Sequence, residues 1–153
     1  MTSIVSRTID ATPSDVWAVL GDGWLYGLWV TGASRIRDVD ETWPAVGSSI
    51  HHSVGSWPAL IDDSTTVLTS VPDRELKIQA RAWPGGEATV QVTLEQQSEQ
   101  TVVTITEDAS RGPALLLPSP VRRVALDARN KESLLRLSYL VENRRPSTSR
   151  SSD

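Results

Sequence analysis

The chain has 153 residues and contains no cysteine, no phenylalanine and a single methionine. Without cysteine there is no disulfide framework, no thiolate nucleophile and no thiolate-ligated metal site. That absence suits a reducing compartment, and a cytoplasmic protein is the expectation. No apolar run approaches the ~20 residues of a membrane span. The opening MTSIVSRTID has no basic flank and no apolar core of signal-peptide length. Basic charge is also scarce: the net charge is −4, which argues against nucleic acid or an anionic membrane as the main partner. Arginines gather towards the C-terminus (Arg122, Arg123, Arg129, Arg136, Arg144, Arg145, Arg150), where they read as a solvated helix face and a polar tail. No phosphate loop, dinucleotide motif, serine elbow or zinc motif occurs, so neither cofactor nor metal is expected.

Against these absences stand six tryptophans and two tyrosines. A core built without Phe places rings that each carry a polar edge, which suits the wall or mouth of a pocket as well as plain packing. The density of rings in WLYGLWV, Trp24–Val30, is too high for a surface loop. Trp24, Tyr26 and Trp29 are therefore candidates for a cavity wall. Trp43, Trp57 and Trp83 each precede proline, which favours extended or turn geometry, and are expected to rim strand ends.

The longest helical signal runs from Pro118 to Arg145 and stops before Pro146. Ser119 is the expected cap and Pro120 suits the first turn. Leu126, Asn130, Leu134, Leu137 and Val141 recur at helical spacing on one face, and Val124, Ala128 and Leu135 on a second. So broad an apolar arc needs a large partner surface. A strand over Ser3–Asp10 and a helix follow from the N-terminus. In that helix Thr12 is the cap, Pro13 holds the first position, Asp15 lies in the first turn, and Gly21 or Gly23 ends it. A second short helix or turn spans Trp24–Val30. From Ser34 the period changes to two, with six strands expected at 34–42, 47–56, 62–71, 75–83, 88–96 and 101–108. Their turns are short, so neighbours are antiparallel. Asp62 and Asp63 read as turn residues, and Gly85-Gly86 as a hairpin turn. The apolar Ala114–Leu117 is expected to pack under or beside the sheet. Residues 1–145 form one domain, and 146–153 read as a disordered tail.

Alternation sorts the strand side chains into two faces. Leu76, Ile78, Ala80 and Ala82 share the inner face with Ala88, Val90, Val92 and Leu94. Val103, Ile105, Glu107 and Ala109 join them, as do Ile50, His52, Val54 and Ser56. Two of these are polar and titratable, His52 and Glu107. His51 points the other way, so the His-His pair is no metal site. Small inward residues leave space beneath the long helix, either filled by Trp rings or left open.

The element order resembles the helix-grip fold of the START-like (SRPBCC) superfamily, and within it the bacterial polyketide cyclase/dehydrase-like branch. ATPSDVWAVLGD is similar to that group's opening helix. VGSSIHHSVGSWP, ARAWPGGEATV and TEDASRGPALLLPSP resemble its strand and loop signatures, and ARNKESLLRLSYLVE its last helix. The resemblance covers about residues 3–143. It implies an α+β fold, a curved seven-stranded antiparallel sheet wrapped around a long C-terminal helix with two short N-terminal helices. It further implies an internal cavity for a hydrophobic small molecule, polycyclic or lipid-like. A monomer or homodimer is expected. No catalytic motif carries over.

Two uses of such a cavity stand side by side. In a binding protein, Trp24, Tyr26, Trp29, Val54, Ile78, Ala80, Val92, Ile105, Arg111, Leu117, Asn130 and Leu134 would contact ligand. In a cofactor-free cyclase or dehydratase, Glu107 would orient His52 as a general base. The alternative for that pair is that the two never meet, or that each finds an arginine. Arg111 is positioned to pair with Glu107 or with an acidic ligand, and Asn130 either bonds the sheet or meets ligand. A protein-interaction module ranks last, since no exposed apolar patch is legible.

Overall fold

The computed structural model describes residues 2–31, 35–54, 61–82 and 86–144. The strands are β1 Ser3–Ile9, β2 Arg35–Val39, β3 Ser49–Val54, β4 Ile61–Val71, β5 Glu75–Ala82, β6 Gly86–Gln97 and β7 Gln100–Arg111. The helices are α1 Pro13–Leu20, α2 Tyr26–Trp29 and α3 Ser119–Asn143. All strand pairs are antiparallel, in one open sheet ordered β1-β7-β6-β5-β4-β3-β2. This is the α+β helix-grip arrangement with its short N-terminal helices. Residues 146–153, Trp57, Trp83 and Gly85 lie outside the described residues.

Local chemistry sets the first helix. Thr12 is extended and its hydroxyl accepts from the Asp15 amide at 3.3 Å, while Pro13 occupies the first turn and Gly21 caps the end. Gly23 ends the next connection by close approach: a Cβ there would lie 2.5 Å from Val39 Cγ1 and 3.2 Å from Trp43 Cδ1. That approach buries Trp43, whose Nε1 donates to the Leu20 carbonyl at 3.1 Å. Trp43 is thus a core residue where a strand-end rim was expected.

Three further expectations change. Asp62 and Asp63 lie inside β4, because that strand is paired on both sides; Asp63 faces His52 across the β3–β4 ladder. Leu115, Leu116 and Leu117 are exposed, since the short 3-10 turn at Pro113–Leu116 carries them off the sheet. With Val121 and Val124, also exposed, they leave an apolar patch at the start of α3. The second apolar face of α3 is absent too: Val124 and Ala128 are exposed and Leu135 half-buried, whereas Ser133 and Ser138 are buried beside Asn130, Leu134, Leu137 and Val141. Serines are accommodated there because their hydroxyls are bonded, Ser138 donating within the helix to the Leu135 carbonyl at 2.7 Å and Ser133 across to Thr31 Oγ1 at 3.0 Å.

The register aligns inward residues in rows across the sheet. Leu76, Val92, Ile105 and Val5 form one row, all buried. Val67, Ile78, Val90, Glu107 and Ser3 form the next. Ile50, Thr65, Ala80, Ala88 and Ala109 form a third. Helix α3 lies mainly on β1, α2, α1 and β7. The third row, in which a threonine and three alanines follow Ile50, receives little cover from it.

Candidate functional site

Between α3 and strands β3–β7 lies a cavity of about 300 Å³. Its floor is Ile78, Ala80, Val90 and Ile105; Tyr26, Trp29 and Val30 close one side. The two rings meet edge-on, with centroids 5.7 Å apart. Helix α3 contributes Arg129, Asn130 and Ser133. Polar groups inside are Thr31, His52, Thr65 and Glu107, with Arg81 at the rim. Ala80 sits between Thr65 and Ala88 in its row, so small side chains make the open volume.

His52 and Glu107 both line this space, as strand parity predicts, yet they do not pair. The Glu107 carboxylate, 3% exposed, is held by Arg129 Nη2 through both oxygens. His52 instead joins a hydroxyl string. Its Nε2 lies 3.0 Å from Thr65 Oγ1, which lies 3.4 Å from Tyr26 Oη. The Tyr26 and His52 rings run near-parallel at 25°, with centroids 6.1 Å apart. His52 Nδ1 is buried and has no hydrogen-bond partner among the described residues. Burial pushes the His52 pKa below its usual value, against Asp63, which pulls it up; Arg37 and His51 push the same way as burial. Burial also raises the Tyr26 pKa, with Glu107 acting in the same direction and Thr65 and Arg129 opposing.

Of the other residues singled out, Tyr26, Trp29, Ile78, Ala80, Ile105 and Asn130 line the cavity. Asn130 is buried, and its Nδ2 donates to Ser3 Oγ at 3.4 Å, so it ties α3 to β1. Val92 and Leu134 are fully buried in the core beside the cavity and do not line it. Trp24 is 58% exposed and borders a separate shallow recess with Asp38, Asp40 and Glu41, because its short turn directs it outward. Leu117 is exposed. Arg111 is also exposed and lies 3.9 Å from Glu87, not beside Glu107. The Val54 side chain lies outside the described residues. His51 is on the outer face, 3.6 Å from Asp40.

Thr65, Arg129, Ser133 and Thr31 are cavity residues that the sequence did not single out. Extending the period-2 count through β4 puts Thr65 in phase with Val67 and would have found it. Arg129 had no such signal: it is exposed by position and reaches back to Glu107 by its length. Among the described residues no cluster of three or more metal-ligating side chains occurs, and no helix is long and apolar enough to cross a membrane.

An antiparallel sheet gripping a long C-terminal helix defines the helix-grip class of α+β folds. The chain belongs to the polyketide cyclase / dehydrase and lipid transport family, whose model matches residues 2–142. No curated protein matches it. Solved structures share the fold. Protein CV1439 from Chromobacterium violaceum is 18% identical with a TM-score of 0.68, covering 92% of this chain and 97% of that one. CalU16 from Micromonospora echinospora is 18% identical with a TM-score of 0.63, over 96% of this chain and 77% of its own. The di-domain ARO/CYC StfQ from the steffimycin biosynthetic pathway is 12% identical with a TM-score of 0.68, over 94% of this chain and 52% of its own.

Proposed function

We propose that this protein binds a hydrophobic small molecule in the cavity beneath α3. The observation that carries the reading is a pocket of about 300 Å³ with mostly apolar walls and a few convergent polar groups, the usual make-up of a ligand site. That volume sits at the small end of ligand pockets, roughly 300–1,000 Å³. It favours a compact polycyclic molecule over a long-chain lipid. Native mass spectrometry of gently purified protein tests the reading. A retained extra mass, or uptake of an added tricyclic aromatic, is the expected result. A bare chain that also takes up none of a panel of such compounds refutes it.

One observation favours a second reading, a cofactor-free cyclase or dehydratase. The imidazole–hydroxyl string of His52, Thr65 and Tyr26 ends in the cavity and can pass a proton between its members. Glu107 takes no part in it, being engaged by Arg129. Turnover of a poly-β-keto thioester mimic by the wild type, lost in His52→Ala, would replace the first reading with this one.

A further inference from the structure

We propose that Tyr26 is the specificity-determining donor of the cavity, its hydroxyl hydrogen reserved for an acceptor oxygen on the ligand, a carbonyl above all. This rests on the binding function proposed above and adds which way the buried polar string points.

His52 Nε2, Thr65 Oγ1 and Tyr26 Oη are linked by contacts of 3.0 and 3.4 Å. The threonine hydroxyl has one hydrogen and two lone pairs, so the string can run either way, or both neighbours can donate to Thr65 and strand the hydrogen of a side chain with no exposed surface. If Tyr26 donates to Thr65 and Thr65 to Nε2, the single hydrogen of the neutral imidazole sits on Nδ1. That atom is buried and has no hydrogen-bond partner among the described residues. A buried N–H left unmade is the costly case, whereas an unused lone pair is tolerated better. The string therefore runs from Nε2–H to Thr65 and from Thr65 to Tyr26 Oη. The tyrosine hydrogen is then left over. Thr65 is the only hydrogen-bond partner of Tyr26 Oη among the described residues. The Glu107 carboxylate accepts from Arg129 and makes no hydrogen bond with Tyr26. Tyr26 lines the cavity, so the remaining place for an acceptor is the ligand. Burial keeps His52 neutral and Tyr26 protonated, which preserves this arrangement at neutral pH.

The test has two independent parts. Imidazole ¹⁵N NMR on the ligand-free protein at mildly basic pH should show His52 with a pyrrole-type Nε2 and a pyridine-type Nδ1; the opposite tautomer overturns the proposal. Equilibrium dialysis then compares 9-fluorenone with fluorene, two tricycles of one shape that differ by the carbonyl. The wild type should hold the ketone roughly fivefold more tightly, the value of one net hydrogen bond. In Tyr26→Phe the ratio of the two affinities should fall to about one. Equal affinities in the wild type, or a ratio kept in Tyr26→Phe, overturn the proposal and leave the binding function standing. If neither tricycle binds, both fall together. The NMR assignment and the wild-type ratio do not depend on how any variant folds.

Discussion

Replacing Arg129 by leucine removes the one side-chain partner, among the described residues, of a carboxylate that the fold has taken out of water. Glu107 is 3% exposed and sits in the inward row between Val90 and Ser3. Breaking a fully buried ion pair by removing one member costs about 3–5 kcal/mol, because a charge is left uncompensated. Arg129 is itself 43% exposed, so water enters as the guanidinium leaves, and the lower end, about 3 kcal/mol, applies. With a urea m-value of about 2 kcal/mol/M for a chain of this size, the midpoint should fall by about 1.5 M. The companion variant carries Glu107→Leu with Arg129→Leu. Exchanging a buried pair for apolar side chains is often neutral or stabilising, so the double variant should return to within about 1 kcal/mol of wild type. Urea unfolding followed by tryptophan fluorescence reads all three proteins, and the cycle isolates the coupling. A midpoint shift below about 0.3 M for Arg129→Leu, or a double variant no more stable than the single, would refute the assignment of Glu107 as a charge dependent on Arg129.

Other expectations follow from the same geometry. The unfolded chain protonates His52 near its ordinary value of about 6.5, while burial holds the folded value lower. The stability contributed by neutral His52 is therefore complete above that pH and is lost as pH falls through the folded value. Wild type should lose stability from about pH 7 to pH 5 more steeply than His52→Gln, and parallel profiles in urea titrations would contradict this. Gly23→Ala forces a Cβ to 2.5 Å from Val39 Cγ1 and should cost about 1–3 kcal/mol; an unchanged melting temperature would show that the connection gives way freely. Val124→Glu on α3 should change stability by no more than about 0.5 kcal/mol, since Val124 is exposed; a large loss would restore the second apolar face.

What the sequence made legible was chemistry that acts over a few residues or at a fixed period. Thr12-Pro13 announces α1 because a cap needs only its own turn. The alternation through Leu76–Ala80, Val90–Leu94 and Val103–Glu107 identifies the inner face because pleating has a period of two. The same count brought His52 and Glu107 inside. It said nothing about their partners, since partners come from the third dimension. Glu107 meets an arginine 22 residues away on another element, and His52 meets Thr65 across a strand pair. Pattern also overreached where hydrophobicity was taken as burial. Val124 and Leu115–Leu117 are apolar and exposed, while Ser133 and Ser138 are polar and buried with their hydroxyls bonded. A serine whose hydroxyl is bonded, within the helix as at Ser138 or across to Thr31 as at Ser133, carries little penalty inside, so helical periodicity of apolar residues alone misplaces the edge of the buried face.

The cavity is best understood as a consequence of unequal cover over equal rows. The row Leu76, Val92, Ile105 and Val5 is buried with the apolar face of α3, and side chains of full size fill the space between. Across β3–β6 the helix no longer lies on the sheet. There the row holds Thr65, Ala80 and Ala88, and the wall opposite is supplied by Tyr26 and Trp29 from α2. Large residues in that row would close the gap and gain packing, so their absence marks the place where the fold forgoes contact. It is also the place where polar groups converge: Thr65 belongs to the row, and His52 and Tyr26 bond through it. Space and polarity thus have one origin in the register of β4 and β5, and a molecule that fills the space meets the tyrosine hydroxyl.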